Sequence, residues 1–144
     1  MRDRGWLYRG HSIDMTQRYT MRAGSRDVEV EVEMSGNTAD DLFATGVQKL
    51  EMDNQGFIDR QRCTMGSWGS NVADKNLPSH IFGVGLGIKI DPANVVEMRE
   101  DELNYLCVLR PCAGRIRYTI SLFSTLQPDG FKTADEWFGW LSTH

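Results

Sequence analysis

The chain has 144 residues, of which 40% are hydrophobic and 10% aromatic, so it can fill one core and is not disordered as a whole. Its 16 Lys and Arg residues stand against 20 Asp and Glu residues, a formal net charge of -4, which argues against a partner bound mainly through phosphates. No stretch approaches the roughly 18 apolar residues of a membrane-spanning helix. Neither nucleic acid nor a membrane is therefore expected as a partner.

The first 34 residues predict a β-hairpin. The charged N-terminal residues precede no apolar segment of the kind a secretion signal needs. Ser12 to Arg22 and Asp27 to Met34 then alternate apolar and polar residues, which is typical of half-buried strands. With a turn at Gly24 and Ser25, the register places Arg18 opposite Glu31, and Tyr19 opposite Val30 within the core.

The middle of the chain predicts further strands around one long loop. Leu42 to Leu50 forms a strand, and Gly56 to Arg62 a weaker one. Met65 to Ser79 is rich in Gly, Ser, Asn and Asp, which favours a loop of the kind that carries function. Ile81 to Ile90 is an apolar strand whose alternate glycines leave one face bare for another backbone, a large ring or a ligand.

The C-terminal part predicts three more strands and one helix. Val95 to Arg99, Leu103 to Leu109 and Arg115 to Phe123 have strand patterns. Thr133 and Glu136 form a capping box at the start of a terminal helix. About eight strands and one helix indicate an all-β fold. We expect a mostly antiparallel β-sandwich of jelly-roll or supersandwich type with one C-terminal α-helix, over a single domain of residues 1 to 144.

No strong catalytic motif is present, so a site has to be sought among scattered residues. The three cysteines lack the spacing of a zinc site, and no metal site is predicted; the sequence does not identify a cofactor. His11 precedes the first predicted strand and His80 ends the long loop, so either is a candidate general base or a solvated loop histidine. Tyr8, in a loop beside His11, is a candidate proton donor.

Two arginines and a tryptophan are candidates for substrate binding. Arg60 and Arg62 lie two apart on a predicted strand, so both point to one face and can clamp a carboxylate, unless that face is only solvated. Trp68 stands between Gly and Ser residues. Its ring either offers a platform to a sugar or folds back onto the core.

Several short motifs together resemble a known family. They are Ala23-Gly24-Ser25-Arg26 before alternating valines, Ala44-Thr45-Gly46-Val47-Gln48-Lys49, Trp68-Gly69, the glycine-rich strand, and Thr133-x-x-Glu136-Trp137. This order is similar to the C-terminal half of a bacterial domain of unknown function. That family occurs in polysaccharide-utilisation gene clusters and is linked to uronic-acid polysaccharides such as ulvan and pectin-type glycans. Its members are longer and usually exported, so the resemblance implies a fragment of a longer, periplasmic or secreted protein.

The resemblance implies elimination at the non-reducing end of a uronic-acid oligosaccharide, as in lyases and dehydratases. The C5 proton, α to a carboxylate, becomes acidic only when that charge is neutralised, so the site needs a cation, a base and an acid. From residue type and position we assign Arg60 and Arg62 to the carboxylate, His80 to the base and Tyr8 to the acid. His11 is a second candidate catalytic histidine, and Trp68 stacks on the sugar.

Two alternatives from other classes stay open. The first is a noncatalytic carbohydrate-binding sandwich, which would lose affinity chiefly on substitution of Trp68. The second is a self-associating subunit, in which exposed edges and the glycine-rich strand pair between copies in a homo-oligomer.

Overall fold

A computed structural model describes residues 1 to 72 and 81 to 144, and within them the chain forms ten strands and one α-helix. No helix among these residues has the length and apolar character needed to cross a membrane. The strands are β1 (Arg2–Tyr8), β2 (His11–Met21), β3 (Asp27–Ser35), β4 (Phe43–Gln48), β5 (Met52–Asp59), β6 (Thr64–Val72), β7 (Ile81–Ile90), β8 (Val95–Glu100), β9 (Asn104–Leu109) and β10 (Arg115–Ser124), and the helix is α1 (Ala134–Thr143).

The strands form two sheets that pack face to face. The larger sheet has the order β1-β2-β3-β10-β7-β6-β5, and the smaller has the order β4-β9-β8. Every pairing between these strands is antiparallel. The core between the sheets joins residues of the large sheet, such as Val32 and Ile88, to residues of the small one, such as Cys107 and Leu109. The predicted fold class, an antiparallel sandwich with one C-terminal helix, is confirmed.

The hairpin of β2 and β3 has the predicted register, with Arg18 opposite Glu31 and Tyr19 opposite Val30. Placing Tyr19 in the core was wrong, because its side chain is 48% exposed. The three-stranded sheet packs chiefly over β6 and β7 and leaves this part of β2 uncovered. The Tyr19 hydroxyl instead donates to Oε1 of Gln17 at the surface, at 2.5 Å.

Two strands lie where no strand was predicted. β1 forms the edge of the large sheet and is exposed along almost all of its length, so its residues need no apolar alternation. β6 occupies the first part of the predicted loop Met65 to Ser79, and that prediction was wrong there. The Gly and Ser residues of β6 indicate close packing, since Ser67 is fully buried and a Cβ at Gly66 would meet Leu141.

The glycines of β7 leave the space in which α1 packs against the sheet. A Cβ added at Gly85 would meet the rings of Phe123 and Trp137, and one at Gly87 would meet Leu141. The bare face predicted for this strand therefore receives large side chains of the same chain. Because β7 pairs with β10 on one side and β6 on the other, it has no free edge through which copies could associate.

The predicted cap of α1 is present. Thr133 Oγ1 accepts the Glu136 backbone N–H at 3.2 Å. The Glu136 carboxylate reaches back to the N–H of Lys132, one residue earlier than a capping box requires, at 2.7 Å.

Both outer strands of the large sheet contain a bulge. The pairing of β1 with β2 shifts between Asp3 and Trp6, where Gly5 has a φ of 68°. The pairing of β5 with β6 shifts between Met52 and Gln55, where Asp53 has a φ of 53°. Each bulge bends its strand and increases the local twist.

Candidate functional site

Tyr8 and His11 face each other across the tight turn between β1 and β2. They are directly paired in the sheet, and their rings stand edge to face with centroids 6.3 Å apart. Arg9 and Gly10 form the turn between them with positive φ angles of 48° and 83°, as in the two-residue turns that suit a hairpin. Tyr8 was predicted in a loop, and the structure corrects this by placing it at the end of β1. The predicted neighbourhood of the two side chains is present.

A buried carboxylate holds the His11 ring. The Nε2 atom of His11 lies 2.8 Å from Oδ2 of Asp41, which is 2% exposed and belongs to the segment between β3 and β4. The same oxygen accepts the backbone N–H of Thr38 at 2.7 Å and its hydroxyl at 3.1 Å. The backbone N–H of Thr38 is the largest cause of a lowered Asp41 pKa; burial opposes this shift and the His11 hydrogen bond adds to it.

This arrangement determines the protonation pattern of neutral His11. An ionised carboxylate can only accept hydrogen bonds, so the Nε2 atom of His11 must donate to Asp41. The Nδ1 atom of a neutral ring then has a free electron pair and can accept a proton. A histidine oriented in this way by a buried carboxylate resembles the base of a hydrolase triad in its geometry.

The Tyr8 and Asp41 side chains line a cavity of about 310 Å³. It lies between the β1–β2 edge of the large sheet and the start of β4 in the small one. Much of its lining is apolar, with a buried floor at Ile13 and an exposed aromatic wall at Trp6, which is 53% exposed. The Oδ1 atom of Asp41 is buried and, among the described residues, accepts no hydrogen bond.

Two further side chains complete the cluster. The Trp6 ring packs on Tyr8 with centroids 5.5 Å apart. The guanidinium carbon of Arg9 lies 5.3 Å from the centre of the Tyr8 ring, so a positive charge is present beside the phenol. We call Trp6, Tyr8, Arg9, His11 and Asp41 the hairpin site.

A larger surface depression, about 590 Å³, is elsewhere on the outer face of the large sheet. Its main charged groups already pair with one another, since Arg18 and Arg117 both contact Glu31, at 2.8 and 2.6 Å. A charged ligand could bind these groups only by breaking their existing ion pairs. We therefore favour the hairpin site, whose cation Arg9 contacts no carboxylate among the described residues.

The expected carboxylate clamp of Arg60 and Arg62 is not formed in the structure. β5 ends at Asp59, and residues 60 to 63 form a turn, so the prediction that both arginines lie on one strand face was wrong. The Asp59 carboxylate closes this turn by accepting the N–H groups of Gln61 and Arg62 and pairs with the Arg62 guanidinium at 2.9 Å. Arg60 donates to the carbonyl of Met98 at 3.2 Å.

Trp68 lies within β6 rather than in a loop, and its ring packs on Phe123 with centroids 5.2 Å apart. It thus folds back onto the aromatic cluster beneath α1, the second of the two interpretations of this residue. β6 is five strand spacings from β1 in the large sheet, which is about 24 Å. Trp68 and the hairpin site therefore lie near opposite ends of the strand order. His80, the other predicted catalytic residue, lies outside the described residues.

The described residues contain no group of three His, Cys, Asp or Glu side chains that could hold a metal ion. Three members of the hairpin site were not predicted from the sequence, namely Trp6, Arg9 and Asp41. The spacing of Thr38 and Asp41 is the one local signal for Asp41, because a Thr three residues before an Asp favours a turn in which the carboxylate accepts backbone N–H groups. Trp6 and Arg9 can be recognised as members of the site only once β1 is known to be a strand.

Comparison with known proteins yields one result that spans the chain. Residues 1–144 match the family described as Domain of unknown function (DUF4861). No match was found among curated proteins or among solved structures. The match covers every strand, the terminal helix and all members of the hairpin site, so the chain belongs to the DUF4861 family of domains of unknown function.

Proposed function

We propose that the protein acts on uronic-acid-containing oligosaccharides by elimination, with the hairpin site as its reaction centre. The observation that carries the proposal is the 2.8 Å hydrogen bond that orients His11 on Asp41 while the His11 ring faces Tyr8 beside a cavity. The resemblance of the sequence motifs to a family linked to uronic-acid polysaccharides supports the choice of substrate. The polysaccharide-utilisation context and the lyase-like or dehydratase-like chemistry belong to this proposal.

The reaction needs a base, an acid and a cation within one site. His11 Nδ1 removes the C5 proton, which lies α to the uronate carboxylate. The electron pair of the C5–H bond forms the C4–C5 double bond, and the C4–O bond breaks with its electrons on oxygen. The Tyr8 hydroxyl donates its proton to that oxygen, so water or an alcohol leaves. Asp41 stabilises the imidazolium that His11 becomes.

Arg9 takes the role first assigned to Arg60 and Arg62. Its guanidinium group adjoins the Tyr8 ring. Arg60 and Arg62 instead contact Met98 and Asp59, near the end of the large sheet opposite β1. A cation on the uronate carboxylate lowers the cost of the charge that develops when C5 loses its proton. Trp6 takes the role first assigned to Trp68, because its ring is exposed at the cavity wall.

The test is incubation of the purified protein with oligosaccharides of galacturonic, glucuronic and mannuronic acid. Elimination gives an unsaturated uronate, whose conjugated double bond absorbs in the ultraviolet. We expect His11→Gln and Tyr8→Phe to lower the initial rate by about 100-fold or more each, and His144→Gln to leave it unchanged. His80→Ala tests the other predicted base, and a loss confined to that variant would contradict the role of His11.

A noncatalytic carbohydrate-binding function is the second candidate, favoured by the exposed Trp6 ring and the neighbouring Tyr8 at one cavity. Both features serve binding whether or not a bond is broken. A folded protein that binds the same oligosaccharides but yields no new absorbance across the panel would establish this function in place of elimination.

A further inference from the structure

The arginines of the chain divide into two groups. In the portion that the structure describes, each arginine from Arg18 onward contacts a carboxylate or a backbone carbonyl. Arg2, Arg4 and Arg9 have no such contact among those residues, and all three lie on β1 or the turn that follows it. One carboxylate, Asp3, lies in the same stretch. β1 is thus a positive edge on a chain whose net charge is -4.

A second depression along this edge shares lining residues with the cavity of the hairpin site. The second depression has a volume of about 450 Å³ and is lined by Asp3, Arg4, Trp6 and Met15. Trp6 and Met15 also line the first cavity. The Trp6 ring therefore stands between two adjoining spaces, one leading to Tyr8 and Asp41 and the other to Arg4.

We infer that the second depression is a binding subsite for the next sugars of an acidic oligosaccharide, which lies along β1. This inference rests on the proposed function for the identity of the ligand, but the binding requires no catalysis. Arg4 contacts a carboxylate of the ligand, Trp6 packs against a sugar face, and Asp3 accepts hydrogen bonds from hydroxyl groups. Unpaired guanidinium groups favour an anionic ligand, because binding a carboxylate breaks no existing ion pair.

The placement of the two cations favours a ligand longer than one sugar. Arg4 lies on β1 and Arg9 in the turn that follows it, so the backbone between them spans at most about 16 Å and is shortened by the bulge at Gly5. Arg4 lines the second depression, whereas the guanidinium group of Arg9 lies against the Tyr8 ring. An oligosaccharide can place one carboxylate at Arg9 and another at Arg4.

The subsite is tested by calorimetric titration with dimers and tetramers of galacturonic, glucuronic and mannuronic acid. The His11→Gln background is used so that turnover does not consume the ligand. We expect at least one tetramer to bind about tenfold more tightly than its dimer, and Arg4→Gln to remove most of that difference while leaving dimer affinity unchanged. Arg22→Gln, which changes an exposed arginine outside both cavities, serves as the matched control and should have no effect.

Several results would overturn the subsite. They are equal affinity for dimer and tetramer, an effect of Arg4→Gln on both or on neither, equal binding of the neutral tetramer cellotetraose, and tighter binding of single-stranded DNA than of any acidic oligosaccharide. Failure of the two proposals is distinguishable. Arg4-dependent tetramer binding without elimination by the unsubstituted protein refutes the reaction alone. Elimination with Arg4-independent binding refutes the subsite alone.

Discussion

The Nε2 atom of His11 lies 2.8 Å from Oδ2 of Asp41, although 30 positions separate the two residues in the sequence. His11 is the first residue of β2, and Asp41 lies in the segment before β4. Arg110, which follows β9 of the small sheet, also holds that segment by donating a hydrogen bond to the carbonyl of Ala39 at 2.6 Å. The orientation of the proposed base therefore depends on contacts between both sheets of the sandwich.

Replacing Asp41 by Asn should remove the charge that orients His11 while preserving the shape of the side chain. We expect the elimination rate to fall by about 100-fold, because the amide can present its N–H to the ring and favour the wrong tautomer. Initial rates at saturating substrate check this, with circular dichroism to establish that the variant is folded. The exposed neighbour provides the control, since Asp40→Asn should retain the full rate. An unchanged rate in Asp41→Asn would exclude Asp41 from the mechanism.

Trp6 and Trp68 should respond in opposite ways to truncation. Trp6 is 53% exposed at the cavity wall, so Trp6→Ala should weaken oligosaccharide binding by about tenfold with less than about 0.5 kcal/mol of lost stability. Trp68 packs on Phe123, so Trp68→Ala should cost about 2 kcal/mol of unfolding free energy and leave affinity unchanged. Chemical denaturation and calorimetric titration measure the two quantities. The reverse result would restore Trp68 as the sugar platform.

Because α1 packs closely on β7, alanine substitutions at two glycines, Gly85 and Gly139, should have opposite effects on stability. A Cβ at Gly85 would meet the rings of Phe123 and Trp137, so Gly85→Ala should destabilise the fold by about 1 to 3 kcal/mol. A Cβ at Gly139, in the exposed face of α1, meets nothing within 4 Å. Gly139→Ala should therefore stabilise the protein by up to about 1 kcal/mol through better helix propensity. Equal effects of the two substitutions in urea denaturation would contradict this packing.

Glu31 should make the stability of the protein depend on acid pH. Its pKa is lowered chiefly by the Arg117 side chain, with Arg18 contributing. Because the folded pKa lies below the ordinary value, the stabilisation is present above that ordinary pKa and is lost as the pH falls through the lowered one. Glu31→Gln should lower the Tm by a few degrees at neutral pH and have little effect near about pH 2.

The matched control for this prediction is Glu29→Gln. Glu29 pairs with the single exposed arginine Arg22, whereas Glu31 is contacted by both Arg18 and Arg117. We expect a smaller Tm change for Glu29→Gln, and for Glu31→Gln a change that shrinks in about 1 M salt as the charges are screened. A Tm difference that persists unchanged at acid pH would show that lost packing, rather than lost charge, is responsible.

The predictability of each strand from the sequence follows from what covers it. β3 and the first half of β10 have one face on the core and one towards solvent, so their residues alternate and both strands were predicted. β1 has both faces largely exposed, which leaves no alternation to detect. β6 packs closely on both sides and needs small residues such as Ser67, whose composition is that of a loop. Local patterns therefore report one-sided burial and miss the exposed β1 and the β6 strand of small residues.

The candidate site could be predicted only in its local part. Tyr8 and His11 are close in sequence, so their proximity was expected from the residues alone. Asp41 and the cavity depend on how the segment before β4 returns to the edge of the large sheet, and no pattern near His11 encodes that. The clamp of Arg60 and Arg62 failed for a related reason, because the Asp59 carboxylate ends the strand and turns the chain.

The bulges at Gly5 and Asp53 have a consequence for behaviour at high concentration. An edge strand with an unbroken row of N–H and C=O groups is a template on which further strands can stack, and this is how native sheets grow into fibrils. In this protein each outer strand of the seven-stranded sheet is bent at one position, and β1 also carries charged side chains around its bulge. An incoming strand would lose registry within a few residues at either end. The bulges thus make the two edges of the seven-stranded sheet poor templates for amyloid-type growth.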